Sequence, residues 1–513
     1  MLDHTAQPLS VSFGRSRPSP TLASAKHAAF LVPILDRWLV YAPLNKIAAI
    51  TNASGAKALR SGDGSRGSGP LADLLDLLRQ SPAAIPRPLD GDICPSFLGI
   101  MPTRGCNLAC VYCNFGGPTA AKVHMKPEIA VSAVDWMAER LVTAGRTHFQ
   151  IHFFGGEPFI SPEIVDIVAH RVRYQSARHN LIPYLDASTN GVFSDSRCEF
   201  VGDYFGGVVL SFDGPAEFHD RHRPAFEGRP SFDVVSRTAK RLGAMPLDLC
   251  LRVCITDDSV GEMTNITRWM IESFRPAVVN FESLTPGVLA ERAGLKVPDP
   301  YRFAIHCVEA YRVAERMGVR AVYSAAETER ARLSFCPVGT DAVIVSPDGR
   351  ASACYLLPED WQARGLDMDV GQVHSDGRVF IDQAGLTRAR HLPLQKPRCE
   401  GCFCQWTCAG GCHVNQTYPG CSAEYTAFCL QTRLITACLL LRDLGCEDLV
   451  DELLASRRAM EKLATHGWEP IDLGLEGVST DIVEATATTP MPAYWRAPER
   501  PRSLVAEGLT LLG

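Results

Sequence analysis

From Ser96 to about Pro286, short apolar runs alternate with segments of helical periodicity. Runs of this length predict buried strands, and the amphipathic segments between them predict crossover helices. The predicted strands are Phe97–Met101, Phe149–Phe154, Tyr184–Ser188, Val208–Phe212, Leu249–Ile255 and Val278–Phe281. Strand and helix in alternation favour a parallel sheet, so the pattern predicts an α/β fold with a partial (β/α)6 barrel of the TIM type. Its functional loops should lie at the carboxyl ends of the strands.

The region before this barrel has a different pattern. Ala28–Val40 and Ile47–Thr51 predict short strands, and the stretch near Leu71–Arg79 has helical periodicity. Residues 27–95 are therefore predicted to form a small winged-helix-like unit. Residues 1–26 are polar, rich in Ser and Pro, and lack an apolar segment, so we expect a flexible tail rather than a signal peptide.

The chain changes character after the predicted barrel, which we place at residues 96–325. Residues 326–446 are rich in Cys and Gly, with few long periodic stretches before the apolar helix predicted around Phe428–Leu441. We expect bound metal to substitute for a hydrophobic core in this domain. Residues 447–513 form a C-terminal extension that begins with a predicted helix over Asp448–Leu463.

Composition and charge exclude two classes of partner. The chain is 46% hydrophobic and 21% charged, which is typical of globular proteins. The formal net charge is −6 and no long Lys/Arg run is present, so we expect no nucleic-acid partner. No uninterrupted apolar stretch of about 18 residues occurs, so we expect no membrane partner. Together with the missing export signal, this indicates a cytoplasmic protein.

The 19 cysteines are the anomaly of the composition. A chain of this length without an export signal is not expected to use them as disulfides, so they indicate metal or redox chemistry. They are also unevenly distributed, with one dense group near residue 110 and another near residue 405. Such uneven placement favours sites over packing.

Cys106, Cys110 and Cys113 have the spacing C-x3-C-x2-C and follow the first predicted strand directly. Three thiolates on such a loop can hold three irons of a [4Fe–4S] cluster and leave the fourth iron open. An open iron can chelate S-adenosylmethionine (SAM), and an electron passed through the cluster then cleaves it to a 5′-deoxyadenosyl radical. A structural zinc loop is the alternative, but zinc takes four ligands and no further Cys or His adjoins this motif.

This spacing resembles the cluster motif of the radical SAM superfamily, and the resemblance continues at the next predicted strand. Gly155, Gly156 and Glu157 follow that strand and precede Pro158, as in the family's GGE(P) motif. The resemblance implies that the backbone of this segment and Glu157 receive the methionine amine of SAM.

The third predicted strand ends with Ser188, Thr189 and Asn190, followed by glycine, which is similar to the family's TNG segment. The resemblance implies that Ser188 and Asn190 reach the ribose region of SAM. Tyr112, just before the last cysteine of the loop, occupies the aromatic position that lies near the adenine in this family.

The fourth predicted strand ends in a segment that resembles the family signature S-x-DGP…HD..R. Ser211 begins it, and the resemblance implies that Ser211 faces the SAM carboxylate. Asp213, His219 and Asp220 are expected to shape this loop, and Arg223 ends it.

Glu282, at the end of the sixth strand, is a candidate to face the cavity. The sequence assigns no catalytic acid or base, so these residues are unknown.

A second series of cysteines has the spacing C-x12-G-x4-C, then C-x2-C-x5-C-x3-C, then C. This series resembles the SPASM domain, which implies two auxiliary [4Fe–4S] clusters and a total of three. The first auxiliary cluster would be held by Cys336, Cys354 and Cys412. The second would be held by Cys399, Cys402, Cys408 and Cys429. Either the first cluster keeps an open iron, or Cys404 or Cys421 fills its fourth position. A zinc ribbon is the alternative for this region.

The stretch from Leu31 to Asn52 resembles the PqqD-like peptide-recognition element. That resemblance implies that a leader peptide adds a strand to an exposed sheet edge. A cap that closes the barrel is the alternative for this unit.

Enzymes with SPASM domains mostly modify peptides, so the resemblance implies a maturase acting on a ribosomally made precursor peptide with a leader. The deoxyadenosyl radical would abstract hydrogen, and an oxidative cross-link (C–C, thioether or ether) would close as an electron passes to an auxiliary cluster. An electron donor such as flavodoxin or ferredoxin would supply the enzyme. Formylglycine formation, as in anaerobic sulfatase maturases, is one alternative. A non-catalytic iron–sulfur or zinc scaffold is another.

Overall fold

The computed structural model describes residues 29–61, 69–80, 88–115, 123–329, 331–396, 399–415, 426–465 and 467–471. The predicted tail over residues 1–26, Cys421 and most of the predicted C-terminal extension lie outside the described residues. The strands are β1 Phe30–Ile34, β2 Arg37–Ala42, β3 Ile47–Thr51, β4 Leu98–Ile100, β5 His148–Phe153, β6 Ile182–Thr189, β7 Gly207–Ser211, β8 Asp248–Ile255, β9 Val278–Ser283, β10 Arg320–Tyr323, β11 Val343–Val345, β12 Arg350–Ser352, β13 Asp369–Val373, β14 Val379–Ile381 and β15 Glu469–Pro470. The helices are α1 Ala53–Ser61, α2 Pro70–Gln80, α3 Pro127–Thr143, α4 Pro162–His179, α5 Asp195–Tyr204, α6 Ala216–His222, α7 Phe232–Leu242, α8 Met263–Phe274, α9 Val288–Arg292, α10 Pro300–Arg316, α11 Pro358–Gln362, α12 Gln383–His391, α13 Ala427–Asp443, α14 Glu447–Ala455 and α15 Arg457–Thr465.

Within the described residues, one large sheet runs in the order β10-β9-β8-β7-β6-β5-β4-β11-β12-β13-β14. Strands β4 to β10 pair in parallel, and β11 is parallel to β4. Each of the six predicted barrel strands coincides with one of β4 to β9, so the predicted α/β fold with a parallel sheet is confirmed. The structure adds β10 at one edge, which the sequence pattern did not predict.

The two faces of these strands have different surroundings, as the pleat of a strand requires. In β5, Phe149, Ile151 and Phe153 are fully buried in the main hydrophobic core. Gln150 and His152 point to the opposite face, which we call the inner face of the barrel. The same alternation along β6 to β10 lines the inner face with polar side chains near the carboxyl ends of the strands, where function is expected.

The Cys-rich region extends the same sheet. Strands β11 to β14 continue it beyond β4, and β12 to β14 pair antiparallel. The expectation that metal substitutes for a core in this region is wrong in part, because Trp361 is fully buried there beside Val338 and Met368. The apolar helix predicted around Phe428–Leu441 is α13.

The amino-terminal unit is a small antiparallel sheet of order β15-β1-β2-β3 with α1 and α2. The predicted single strand Ala28–Val40 is in fact a hairpin, because the chain turns at Leu35, whose φ is +55°. One face of the sheet packs on α2 through Leu74 and Leu78, and the other face joins the main core through Phe30 and Tyr41. This unit is therefore packed against the main body of the protein, and β1 contacts α15.

The C-terminal extension is described only as far as Ile471. Its predicted helix over Asp448–Leu463 is two helices, α14 and α15, because Ser456 between them has an extended backbone conformation. The extension then returns to the amino-terminal unit, where β15 pairs with β1. No helix among the described residues has the length and apolar character that crossing a membrane requires.

Candidate active site

The loop that carries Cys106, Cys110 and Cys113 follows β4 and rests on the segment after α6. The backbone N–H of Ala109 donates to the Pro224 carbonyl at 2.8 Å, and the N–H of Val111 donates to the His222 carbonyl at 3.0 Å. The three thiols are half-buried at this edge of the sheet. The barrel therefore holds the predicted cluster loop at the carboxyl ends of its strands.

N–H groups surround the three sulfur atoms. Backbone N–H groups donate to Cys106 Sγ at 3.4 Å and to Cys113 Sγ at 3.3 Å. The Asn190 amide donates to Cys106 Sγ at 3.5 Å, and the Arg223 guanidinium donates to Cys110 Sγ at 3.8 Å. Hydrogen bonds to cluster sulfurs are a feature of iron–sulfur sites and tune their potential. These residues fit an iron–sulfur cluster.

Burial keeps the thiols of Cys106 and Cys110 protonated until metal binds. It raises the pKa of Cys106 to about 11 and that of Cys110 to about 12, although Arg223 opposes the shift at Cys110. Metal binding requires thiolates, so loading this loop releases protons. The motif supplies three thiols, and the open iron expected from the sequence stays a prediction.

The Gly155–Glu157 segment packs directly on the cluster loop. The Glu157 N–H donates to the Gly105 carbonyl at 2.8 Å, and the Gly156 N–H donates to the Thr103 carbonyl at 3.2 Å. A Cβ atom on Gly156 would overlap the carbonyl oxygen of Gly105. The glycine is therefore required by the close approach of two backbones.

Glu157 is fully buried, and its carboxylate joins the ends of β5 and β6. It accepts hydrogen bonds from the Thr189 hydroxyl at 2.8 Å and from the backbone N–H groups of Asn190 at 2.7 Å and Phe159 at 3.1 Å. Burial raises its pKa to about 7, although these hydrogen bonds act in the opposite direction. Contact between Glu157 and SAM stays a prediction.

The remaining predicted SAM-binding residues lie around the same edge. Asn190 donates to the Asn107 side chain at 2.8 Å, which ties the end of β6 to the cluster loop. Ser188 and Ser211 lie on the inner face of β6 and β7, since Ala187 and Leu210 beside them belong to the main core. The structure thus brings these residues to one edge, and their roles stay predictions.

Asp213, at the end of β7, is the centre of a buried polar group. It accepts a hydrogen bond from the Tyr112 hydroxyl at 2.6 Å and pairs with Arg223 at 3.2 Å. Burial alone would raise the pKa of Asp213, but Arg223 and His222 outweigh it and hold the pKa well below its usual value. Asp220 accepts from the backbone N–H groups of Ser231 and Phe232. These contacts connect the segment after β7 to the cluster loop and to the start of α7.

The inner face carries further polar residues that sequence reasoning missed. His152 is hydrogen-bonded to Asp186 through Nδ1, and the Ser188 hydroxyl lies 3.4 Å from its Nε2. The His152 ring also contacts Tyr355, the residue after Cys354, at 5.5 Å between centroids. Polar residues at alternate positions of two strands were the available signal. The inner face therefore extends to the Cys-rich region.

Glu282, which was a candidate to face the cavity, lies on the inner face of β9. It accepts a hydrogen bond from the Ser324 hydroxyl. Burial raises its pKa, and Arg252 on the neighbouring strand opposes this shift. Glu282 therefore has partners within the protein on the inner face.

The first proposed auxiliary group is assembled in an apolar pocket. Cys336, Cys354 and Cys412 share one hydrophobic cluster with Val338 and Trp361. Burial raises the pKa of Cys336 to about 11, and Cys412 adds to the shift. The three cysteines are thus brought together as the SPASM resemblance implies, and their ligand role stays a prediction.

The second proposed auxiliary group lines a small cavity beneath α13. The predicted ligands around it are Cys399, Cys402, Cys408 and Cys429. Cys404 lines the same cavity, although the sequence suggested it as a ligand for the first cluster. The cavity thus has one cysteine more than a four-ligand cluster needs. The Gly410 N–H donates to Cys408 Sγ at 3.3 Å and the Thr426 hydroxyl to Cys429 Sγ at 3.7 Å.

Among the described residues, no three His, Cys, Asp or Glu side chains are grouped as a single metal ion requires. Thiols that cluster with N–H donors aimed at sulfur fit an iron–sulfur cluster.

The comparison with protein families defines the class of this site. Residues 100–266 match the model of the Radical SAM superfamily. The chain therefore carries a radical SAM domain, with the α/β core described above. This family implies SAM and one [4Fe–4S] cluster as cofactors.

The individual relatives share less than 30% of their residues with this chain over the aligned regions. The chain is 27% identical to a cysteine-type anaerobic sulfatase-maturating enzyme of Clostridium perfringens (strain 13 / Type A) over 173 residues, which are 33% of this chain and 46% of that enzyme. The alignment thus spans less than half of that relative. A PqqA peptide cyclase of Gluconobacter oxydans (strain 621H) is 23% identical over 62% of this chain and 88% of the cyclase.

A solved structure has the same fold. Native anSMEcpe with bound AdoMet is 19% identical to this chain, with a TM-score of 0.53 over 69% of this chain and 99% of that structure. At this identity the likeness concerns the fold alone.

Proposed function

We propose that this chain is a radical SAM maturase that forms an oxidative cross-link in a ribosomally made precursor peptide. The observation that carries the proposal is the separation of the SPASM-type cysteines into a group of three and a group of four. The first group adjoins the inner face of the barrel through Tyr355. Two auxiliary [4Fe–4S] clusters, in addition to the SAM-binding cluster, are part of the proposal.

SAM bound at the cluster of Cys106, Cys110 and Cys113 supplies, after one-electron reduction, the deoxyadenosyl radical that removes hydrogen from a substrate C–H bond. The protein's own residues position and enclose that chemistry. The Gly155–Gly156 backbone supports the cluster loop, and Asn190 links it to β6. The inner face, with His152, Asp186 and Glu282, is the surface that a peptide entering the barrel would meet.

Peptide recognition is assigned to the amino-terminal unit. Within the described sheet, β3 is the last strand, and a last strand presents unpaired N–H and C=O groups. An extended leader peptide adds to such an edge through main-chain hydrogen bonds. The opposite edge is covered by β15, so β3 is the edge proposed for the leader.

The primary test is anaerobic reconstitution of the full chain. We expect about twelve irons per chain and formation of 5′-deoxyadenosine after addition of SAM and dithionite. The variant with all three loop cysteines replaced by alanine should keep about eight irons and lose 5′-deoxyadenosine. Iron in the intact chain without 5′-deoxyadenosine would instead support a non-catalytic scaffold.

The reaction type is tested by co-expression with short peptides encoded beside the gene. A cross-link removes two hydrogens from the peptide, so mass spectrometry after proteolysis should show that loss and a bridged fragment. A substitution such as Ala49→Pro in β3 should abolish the modification but leave SAM cleavage without peptide unchanged. Modification at full rate by this variant would contradict the leader assignment.

Formylglycine formation is a second candidate, favoured by the identity to a sulfatase-maturating enzyme over 173 residues. It converts a single Cys or Ser and forms no bridge between residues. Incubation with a sulfatase-type peptide and detection of an aldehyde by hydrazide labelling distinguishes the two. An aldehyde without any bridged fragment would replace cross-linking as the function.

A further inference from the structure

One buried cation lies where the two proposed auxiliary groups meet. Lys396 is 8% exposed and precedes Cys399 by three residues. Its ammonium donates hydrogen bonds to the carbonyl oxygens of Ala409 and, at 3.2 Å, Gly411. Residues 409–411 connect Cys408, a proposed ligand of the second cluster, to Cys412, a proposed ligand of the first. Lys396 therefore holds the segment that joins the two clusters.

The backbone of this segment is bent to meet the lysine. Ala409, Gly410 and Gly411 all have left-handed φ angles, of 48°, 73° and 71°. For Ala409 this conformation is uncommon and costs energy. A Cβ atom on Gly410 would lie 2.5 Å from Lys396 Cδ and 2.9 Å from Cys399 Sγ. The lysine stem and the proposed ligand sulfur of Cys399 thus both lie beside Gly410 of this turn.

The cysteines that act on this ammonium belong to both sets, and the buried imidazole of His413 also interacts with it. Cys336 and Cys412 belong to the first group, and Cys399 and Cys408 belong to the second. Burial lowers the pKa of Lys396, and these four thiols oppose that shift when they ionise. A buried charge is costly unless it is paired. Thiolates that carry iron on both sides would provide that pairing.

We infer that Lys396 is a shared electrostatic positioning residue of the two auxiliary clusters, and that its positive charge raises the reduction potentials of both. The reason is general: a [4Fe–4S] cluster gains one negative charge when it accepts an electron, and a nearby buried cation stabilises that charged state. This inference rests on the proposed function, in which a substrate radical gives its electron to an oxidised auxiliary cluster. A higher potential favours that acceptance.

The test needs no peptide. The reconstituted full chain is titrated with dithionite and followed by electron paramagnetic resonance, which resolves midpoint potentials of the individual clusters. In Lys396→Met, both auxiliary potentials should shift to more negative values, while that of the SAM-binding cluster stays unchanged. Lys462→Met, at an exposed position of α15, removes the same net charge and should shift none of them. Equal potentials in the two variants, or a shift of one auxiliary cluster alone, would overturn the inference.

Lys396 also has a structural role through its two carbonyl contacts, so a second variant separates charge from hydrogen bonding. Lys396→Gln keeps an N–H donor without the charge, and the same negative shifts are expected. Full iron content with unshifted potentials in this variant would overturn the inference. If Lys396→Gln loses auxiliary iron but Lys396→Arg keeps it, charge is required at assembly, which supports the inference. Loss in Lys396→Arg too would show a packing requirement and overturn it.

These results can be told apart from failure of the proposed function. An intact chain that has about four irons and still cleaves SAM lacks the auxiliary clusters, and both proposals then fail. If the natural chain holds about twelve irons and its cluster potentials equal those of Lys396→Met, only the inference about Lys396 fails.

Discussion

The hydroxyl of Tyr112 donates a 2.6 Å hydrogen bond to the carboxylate of Asp213. This bond connects the cluster loop, one residue before Cys113, to the end of β7. Asp213 also accepts from the Cys254 N–H at 3.1 Å and pairs with Arg223. The loop that presents the three thiols is therefore fixed to two barrel strands through one buried carboxylate.

The Tyr112–Asp213 contact predicts that substitution of its two partners lowers the free energy of unfolding by unequal amounts. Tyr112→Phe removes one hydrogen bond to a charged group and should lower the free energy of unfolding by about 1.5–3 kcal/mol. Asp213→Asn leaves the Arg223 charge buried without its partner and should cost about 3–5 kcal/mol. Urea unfolding under anaerobic conditions measures both values. The double variant should lose less unfolding free energy than the sum of the losses in the two single variants.

Tyr174→Phe is the control for this cycle, because Tyr174 is 54% exposed. It should change stability by less than about 0.5 kcal/mol. Strict additivity in the double variant would show that Tyr112 and Asp213 act independently.

The close contact between Gly156 and the cluster loop predicts that a larger residue at position 156 lowers the iron content. Gly156→Ala places a methyl group against the Gly105 carbonyl, so the cluster loop must move away from β5. The variant should lose about four irons per chain and the formation of 5′-deoxyadenosine, while the auxiliary iron stays. Gly261→Ala is the matched control, because its Cβ would meet no atom closer than 4.0 Å. Full iron in Gly156→Ala would contradict the role given to this contact.

Much of the barrel was predictable, because each apolar run from Phe97 to Phe281 is long enough to identify one strand. Cys106, Cys110 and Cys113 were predictable for a different reason: their spacing is local, and the chemistry depends on residue type. The GGE and TNG segments were predictable because they directly follow strands.

What the sequence did not predict depends on contacts between distant residues. Strands β11 and β12 have three residues each, too few for a periodic signal, so their pairing with β4 and with each other was missed. Lys396 was missed because its partners, Ala409 and Gly411, contribute only backbone carbonyls. The pairing of His152 with Asp186 depends on the register of β5 and β6, which a sequence pattern does not give.

Five thiols line the second cavity, and the hydrogen bond between two of them predicts which of the two binds iron. Cys404 donates a hydrogen bond to Cys402, and together with Arg433 this lowers the pKa of Cys402 to about 6. Cys404 is the donor of this hydrogen bond, so Cys404 is expected to remain the protonated partner of Cys402. Cys402→Ser should therefore lose about four irons per chain, and Cys404→Ser should keep them. Iron analysis with Mössbauer spectroscopy checks both, and the reverse result would make Cys404 the ligand.

Glu157 predicts a pH dependence of stability. Its pKa is raised by burial from 4.5 to about 7 in the folded state, so the folded protein binds this proton more tightly than the unfolded chain. The contribution of this group to stability is therefore fully present below about pH 4.5 and is lost as the pH rises through about 7. The slope approaches about 1.4 kcal/mol per pH unit between these limits.

Glu157→Gln removes the titrating proton, so the difference in unfolding free energy between the natural protein and this variant should change with that slope from pH 5 to 7. The variant itself is expected to be less stable at pH 5, because the Gln amide presents a donor where the Asn190 and Thr189 donors need an acceptor. Glu163→Gln, an exposed carboxylate in the first turn of α4, is the control and should leave the pH dependence unchanged. Parallel curves for the natural protein and Glu157→Gln would mean that the carboxyl of Glu157 is ionised throughout this range. Its three donors would then outweigh burial, and the joint between β5 and β6 would be built on a buried anion rather than on a proton-binding group.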